Sequence, residues 1–229
     1  MSNALVTGAS RGLGLALARA LAERGWSLVI DARGAEALEA ARAELASYTR
    51  VAAVAGDVAD AGHRRDLLAA VDGPLDLLVN NASTLGATPL PPLAEYPVAE
   101  LEHVFRVNVV APLALIQLAL PALAPGARIV NVSSDAAVEA YTGWGGYGAS
   151  KAALDQLTNV LAAEREEVRV YAVDPGDMNT QMQQDAYPGE DVSDRPSPEE
   201  SVPGLLTLIE GELPSGRYAA RELALPVHA

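Results

Sequence analysis

The stretch that decides the fold is "ALVTGASRGLG", residues 4–14, at the start of the chain. A short apolar run leads into a glycine-rich turn, and an Ala- and Leu-rich segment then predicts a helix over 13–24. Gly8 permits the tight turn, Gly12 lets the backbone approach a pyrophosphate, and Gly14 lets helix and strand pack closely. A strand, a glycine loop and a helix in this order predict a bound dinucleotide, with phosphates at the helix N-terminus.

The rest of the chain alternates short apolar runs with helical patterns of similar length. Strands are predicted at 4–7, 27–31, 51–56, 75–80, 128–133, 168–173 and 217–220. Helices are predicted at 13–24, 35–47, 60–71, 97–120, 147–165 and from Ser197 to about 210. This alternation indicates an α/β fold, a doubly wound parallel sheet of Rossmann type with about seven strands and helices on both faces. We expect a single domain over 1–229, in which the polar stretch 177–203 forms a substrate lid.

Composition limits the possible partners. The net charge of −14 disfavours nucleic acid, because an acidic surface repels phosphate backbones. The chain has no cysteine and only three scattered histidines, so we expect no disulfide and no metal site. The sequence shows no signal peptide and no long uninterrupted apolar run, which favours a cytoplasmic protein without a membrane partner.

Polar residues follow several of the predicted strands. Asp57, the segment 80–83, Ser133 with Ser134, and the segment 174–180 each come at the end of a strand. In open parallel sheets the ligand crevice lies outside the carboxyl ends of the strands, so these residues are expected to converge on one site. Taken singly, each of these residues is better explained as a turn residue or a helix cap.

The ordered set of motifs resembles the short-chain dehydrogenase/reductase family. The matching pieces are T-G-x-x-x-G-x-G at 7–14, Asp57-Val58, "NNA" at 80–82, Asn108, Ser134, Tyr147-x-x-x-Lys151 and "PGDMNT" at 175–180. Ser134, and not Ser133, precedes Tyr147 by the family's usual interval. The sequence departs from the family pattern at Ser83, at Asp135 and in a short C-terminal tail.

The resemblance implies an oxidoreductase that interconverts a carbonyl and a secondary or primary alcohol. Tyr147 would be the general acid in reduction and the base in oxidation, and Ser134 would bind the substrate oxygen. Asn108 would hold a water that links Lys151 to solvent, although it could also simply kink its helix. The implied cofactor-binding residues are Gly8, Ser10, Arg11, Gly12, Leu13, Gly14, Arg33, Asp57, Val58, Asn80, Asn81, Ala82, Tyr147, Lys151, Pro175, Gly176, Met178 and Thr180.

Lys151 is the only lysine among 16 basic residues, and it stands four residues after Tyr147. On a helix this spacing places both side chains on one face. A nearby cation is expected to lower the pKa of the phenol. An ammonium is a compact charge with three donors, whereas a guanidinium is a broad planar fork. The resemblance further implies that Lys151 also bonds the nicotinamide ribose.

Residues at the end of the second strand predict which nicotinamide cofactor binds. An acidic residue there selects NAD through the ribose hydroxyls, and a basic residue accepts the 2′-phosphate of NADP. Asp31 lies one residue before the usual acidic position, which is Ala32, whereas Arg33 matches the family's NADP-selecting arginine. With Arg11 as a second basic group, we predict NADP(H), with NAD as the second choice.

Substrate contacts are expected from 85–96, 135–146 and 177–203, with Trp144, Tyr141, Tyr187, Met178 and Met182 as apolar candidates. The substrate itself, a small carbonyl or alcohol compound, is not specified by these residues. Two alternatives stay open: a non-catalytic redox-sensing regulator on the same fold, and an NAD-dependent alcohol dehydrogenase. The apolar helices at 97–120 and 147–165 favour a homodimer or homotetramer.

Overall fold

The computed structural model describes residues 2–223. The sheet in this part of the chain has seven strands: β1 Asn3–Val6, β2 Ser27–Ala32, β3 Val51–Ala55, β4 Leu75–Asn80, β5 Leu123–Val132, β6 Arg169–Asp174 and β7 Gly216–Ala219. Their order is β3-β2-β1-β4-β5-β6-β7, and every neighbouring pair is parallel. The predicted doubly wound sheet is therefore confirmed. Residues 224–229, the end of the short C-terminal tail, lie outside the described residues.

The α-helices that accompany these strands are α1 Gly12–Glu23, α2 Ala35–Leu45, α3 Ala61–Ala69, α4 Val98–Phe105, α5 Ala111–Ala119, α6 Gly145–Glu164, α7 Gln181–Ala186, α8 Val202–Glu210 and α9 Ala220–Leu223. They cover both faces of the sheet because successive side chains of a strand point to opposite sides. Ala4 and Val6 of β1 pack in the core shared with α1, α2 and α8, whereas Leu5 packs in the core shared with α3 and α5.

The helix predicted over 97–120 is interrupted. A π-helical turn, Arg106–Val110, separates α4 from α5 and contains Asn108. The whole run from Val98 to Ala122 is long and apolar enough to cross a membrane by length and composition. That is weak evidence for a membrane span, because the core helices of globular proteins have the same length and composition. Half of the most apolar 18-residue segment of this run is buried inside the fold.

The strand order fixes the position of the crevice. From β1 the chain builds outward to β2 and β3, and it then returns to β4 on the other side of β1. The carboxyl ends of β1 and β4 therefore form the switch point where an open α/β sheet accepts a ligand. The segments that follow β1 to β6 meet there.

Candidate active site

The glycine loop, residues 7–14, joins β1 to α1 and needs glycine at three positions. Gly8 and Gly12 have φ angles of +67° and +56°, where other residues are strained. A Cβ on Gly8 would lie 2.9 Å from the Cα of Ala82, and one on Gly14 would lie 2.4 Å from the carbonyl oxygen of Gly8. Arg11, which precedes α1, makes no side-chain capping bond, so N–H groups of the first turn remain free for an anion.

Asp31 holds this loop from below. Its Oδ1 accepts a hydrogen bond from the Gly8 N–H at 2.7 Å, and its Oδ2 lies 2.9 Å from Nε2 of His63. Both Asp31 and His63 are buried. Asp31, the acidic residue that would have favoured NAD, therefore bonds to groups inside the fold. Arg33, the residue that favours NADP, is exposed near it.

A cleft of about 900 Å³ crosses the carboxyl ends of the strands, within the usual size of ligand sites. Most of the predicted site residues line it: Gly8, Ser10, Arg11, Gly12, Leu13, Arg33, Asp57, Val58, Asn81, Ala82, Ser134, Tyr147, Lys151, Pro175, Gly176, Met178 and Thr180. Residues as far apart in the sequence as Gly8 and Thr180 are thereby brought to one groove.

Three predicted site residues lie behind the wall of the cleft. Gly14 packs against Gly8, as described above. Asn80 is buried and donates to Asn131 Oδ1 at 2.8 Å, which places its side chain in the interior between β4 and β5. Asn108 is also buried: its Oδ1 accepts from the Thr84 N–H at 2.9 Å, and its Nδ2 donates to the Thr84 carbonyl and to Ser150 Oγ.

Tyr147 and Lys151 lie one turn apart on α6, and both are buried. The Lys151 ammonium lies 5.4 Å from the centre of the Tyr147 ring. It donates one hydrogen bond, of 2.7 Å, to the carbonyl oxygen of Val132 at the end of β5. An ammonium has three donors, so this bond fixes its position and leaves donors that could face the cleft.

The acid–base properties of this pair differ from the expected ones. Burial raises the pKa of Tyr147 well above its usual value, and the negative charge of Asp174 raises it further, while the hydroxyl of Ser83 opposes the rise. Burial lowers the pKa of Lys151 to about 8, and the charge of Asp155 partly opposes this. The expected lowering of the phenol pKa is therefore wrong, because desolvation of the buried phenol has the largest effect on that pKa and raises it. Tyr147 is held in its protonated, proton-donating form.

Ser134 begins the short 3-10 turn Asp135–Ala137 that follows β5. Its Oγ accepts from the Ala136 N–H at 3.1 Å and donates to Oδ1 of Asp135 at 2.9 Å. The other carboxylate oxygen of Asp135 accepts a 2.9 Å bond from the Tyr141 hydroxyl. The serine predicted to bind the substrate is thus attached to a carboxylate.

Arg217 on β7 braces the same region, and sequence patterns did not single it out. Its Nη2 donates to the Ser134 carbonyl at 2.9 Å, and its Nε donates to Asp155 at 3.0 Å. The same guanidinium lies 3.6 Å from Asp174. No local motif could have revealed this contact, because Arg217 lies 83 positions after Ser134 and is brought close only by the order of β5, β6 and β7.

The charges on the cleft wall are separated. The basic end, on the β1 and β2 side, carries Arg11, Arg19 and Arg33. Arg19 pairs with Glu44, whereas Arg11 and Arg33 form no ion pair within residues 2–223. The catalytic end, on the β5 and β6 side, carries Ser134, Tyr147 and Lys151 together with Asp135, Asp174 and Asp177.

Aromatic rings line the catalytic end. The Trp144 ring lies 5.6 Å from that of Tyr147 and 6.0 Å from that of Tyr187, centre to centre. Tyr141, Met178 and Met182 also reach the cleft, and so do 177–183 and the start of the turn at 198. The predicted segment 85–96 does not line it, since Leu85 and Leu90 pack behind Tyr147 and Trp144 in a small apolar cluster.

Among the described residues, no group of three or more His, Cys, Asp or Glu side chains could hold a metal ion.

Comparisons with known proteins agree with this geometry. The family model described as short chain dehydrogenase matches residues 2–191. The chain is 38% identical over 196 residues to the rhamnolipids biosynthesis 3-oxoacyl-[acyl-carrier-protein] reductase of Pseudomonas aeruginosa, which covers 78% of this chain and 73% of that protein. A structure from Pseudomonas syringae described as a short chain dehydrogenase superposes with a TM-score of 0.88 at 33% identity, over 96% of this chain and 94% of the other. An alcohol dehydrogenase from Thermococcus sibiricus, complexed with 5-hydroxy-NADP, superposes with a TM-score of 0.86 at 26% identity over all of both chains.

Proposed function

This chain belongs to the short-chain dehydrogenase family and is an oxidoreductase, and we propose that it interconverts a small carbonyl compound and its alcohol with NADP(H). One observation carries the proposal: Ser134, Tyr147 and Lys151 line the same cleft as the glycine loop, at the switch point of the sheet. A regulator that only senses a dinucleotide would need the loop but not this trio.

The cleft wall fits a nicotinamide dinucleotide phosphate. A pyrophosphate requires close approach to the backbone and free N–H groups. Gly8 and Gly12, both at positive φ, keep the loop free of Cβ atoms, and the uncapped first turn of α1 supplies the N–H groups. Arg11 and Arg33 are exposed cationic groups suited to a 2′-phosphate, since guanidinium groups bind phosphates through paired donors. Asp31, the residue that would favour NAD, is held inward by Gly8 and His63.

The residues at the catalytic end would share the work of proton transfer and orientation. The bound nicotinamide would supply or accept the hydride. Tyr147, kept protonated by burial, would give its hydroxyl proton to the substrate oxygen during reduction. Lys151, whose position is fixed by its hydrogen bond to the Val132 carbonyl, would orient the phenol of Tyr147 and the nicotinamide ribose relative to each other. Ser134 would bind the substrate oxygen once its single hydroxyl proton turns from Oδ1 of Asp135 to the substrate.

The role of Asn108 stays a prediction. Both polar atoms of its side chain are engaged by Thr84 and Ser150, so the amide ties α6 to the loop after β4. The π-turn around it changes the local hydrogen-bond pattern of the helix, as such turns do near functional sites.

The experiment that tests the proposal is NADPH oxidation across a panel of ketones, aldehydes and keto-esters. Turnover of at least one compound, lost in Tyr147→Phe, is the expected result. Binding of NADPH without turnover of any compound in either direction would contradict the proposed reaction. Side-by-side titration with NADH tests the cofactor, and tighter NADH binding would reverse that assignment.

We also propose that the protein works as a homodimer or homotetramer in the cytoplasm. Apolar side chains remain exposed on the two long helical runs: Val110 and Leu118 on the π-turn and α5, and Val160 on α6. Exposed apolar groups of this size on neighbouring helices suit contact with a second copy. Light scattering that gives the mass of a single chain would contradict the oligomer.

A further inference from the structure

The substrate-binding serine is attached to a negative charge. Ser134 Oγ donates to Oδ1 of Asp135 at 2.9 Å, and the Ala136 N–H donates to the same oxygen at 2.8 Å. The Tyr141 hydroxyl donates to Oδ2 at 2.9 Å. An aspartate at the mouth of a cleft can normally turn toward solvent, but the Ala136 N–H and the Tyr141 hydroxyl hold this one beside the serine, also when the Ser134 proton turns to a substrate oxygen.

Asp135 forms no ion pair within residues 2–223. Asp174 and Asp177 line the same end and carry the same sign. Lys151 is buried against the Val132 carbonyl. Arg217 is the nearest guanidinium to the serine, but it is shared between Asp155 and Asp174 and it approaches the backbone side of Ser134.

From this contact we infer that Asp135 makes the site selective for carbonyl compounds without a negative charge beside the reacting group, so that 2-oxo acids are rejected. The inference rests on the proposed function and specifies its substrate class. A substrate oxygen bonded to Ser134 would place an adjacent carboxylate about 6 Å from that of Asp135, and at an effective dielectric constant of about 20 the repulsion corresponds to about a hundredfold in affinity.

The test compares phenylglyoxylate with its methyl ester, two compounds that share the reacting ketone and differ by one charge. We expect the wild-type enzyme to prefer the ester by about a hundredfold in kcat/KM. Asp135→Asn keeps the shape and removes the charge, so the preference should fall at least about tenfold, through a gain with the acid. Glu139→Gln is the matched control: it removes an exposed carboxylate four residues away, outside the cleft wall, and should leave the preference unchanged.

Equal use of acid and ester by the wild-type enzyme, or an unchanged preference in Asp135→Asn, would overturn the inference. Rising salt should also weaken the wild-type preference, and this measurement decides the matter if the variant does not fold. If neither compound is reduced, the proposed reaction fails for this pair. Quenching of Trp144 fluorescence in the NADPH-bound protein, measured in a Trp26→Phe variant that leaves Trp144 as the single tryptophan, still compares the binding of acid and ester, and equal binding would then refute the role of Asp135.

Discussion

The basic end and the catalytic end of the cleft are built in different ways. At the basic end, the glycine loop and the following first turn of α1 are contiguous in sequence, and Arg11 belongs to the same stretch. At the catalytic end, Ser134 follows β5, Tyr147 lies on α6 and Asp174 ends β6, and Arg217 on β7 braces this region. A local motif can therefore define phosphate binding, whereas the chemistry depends on the order of strands. The two ends should also fail separately when mutated.

Tyr147→Phe should produce the largest effect. Loss of the hydroxyl removes the proton donor, and we expect kcat to fall about a thousandfold or more. The dissociation constant for NADPH, which depends on the basic end, should change little. Steady-state kinetics and a cofactor titration on the same preparation measure both quantities, and retention of wild-type turnover would disprove the assignment of Tyr147.

Lys151→Arg tests whether charge alone suffices at the catalytic end. Lys151 is buried and reaches the Val132 carbonyl at 2.7 Å, so a broader guanidinium must displace its neighbours. We expect kcat to fall about a hundredfold although the charge is kept. An unimpaired variant would show that the lone lysine has no special role.

Arg33→Ala should affect the basic end alone. A lost charge-assisted bond of ~1.5–3 kcal/mol should raise the NADPH dissociation constant about tenfold to a hundredfold, with kcat at saturation unchanged. NADH binding should stay as it is. Arg50→Ala is the control. This substitution also removes one positive charge, but Arg50 pairs with Asp72 on the surface and lies outside the cleft wall. Equal loss of NADPH and NADH binding would contradict the role of Arg33.

His63→Leu should destabilise the support of the glycine loop. It leaves Oδ2 of buried Asp31 without its partner, which costs ~1–3 kcal/mol. At ~2–4 °C per kcal/mol for a domain of this size, the melting temperature should fall by several degrees. His103→Leu, at a half-buried position on α4, serves as the comparison in the same thermal scan. An equal or larger fall in His103→Leu would argue against a special role for His63.

The last prediction concerns pH and the catalytic end. The pKa of Lys151 is lowered from 10.5 to about 8 in the folded chain. Above pH 8 the folded chain loses this proton while the unfolded chain keeps it, so this group adds stability as pH rises towards 10.5. The free energy of unfolding of the wild type, minus that of Lys151→Met, should therefore increase from pH 8 to pH 10 in urea titrations. A constant or falling difference would contradict the lowered pKa.

Much of the fold could be predicted because apolar runs and glycines report local structure. The seven strands were found with shifts of a few residues, apart from β5, which begins at Leu123 instead of 128. That early start could not be predicted, since it depends on pairing between Leu123 and Leu75 across an irregular register. The π-turn at Asn108 was missed as a turn because helical periodicity in "RVNVVAP" continues on both sides of it.

The sequence by itself determined that a glycine loop follows the first strand, that Tyr147 and Lys151 share a helix face, and that Arg33 stands beside Asp31. These features depend on neighbours within a few residues, where backbone geometry is nearly fixed. Only the tertiary structure decided that Asp31 bonds to Gly8 and His63. It also decided that Asp135 accepts hydrogen bonds from Ser134 and Tyr141, and that burial raises the pKa of Tyr147. Desolvation and hydrogen-bond partners come from segments far apart in the chain, and local patterns carry no record of them.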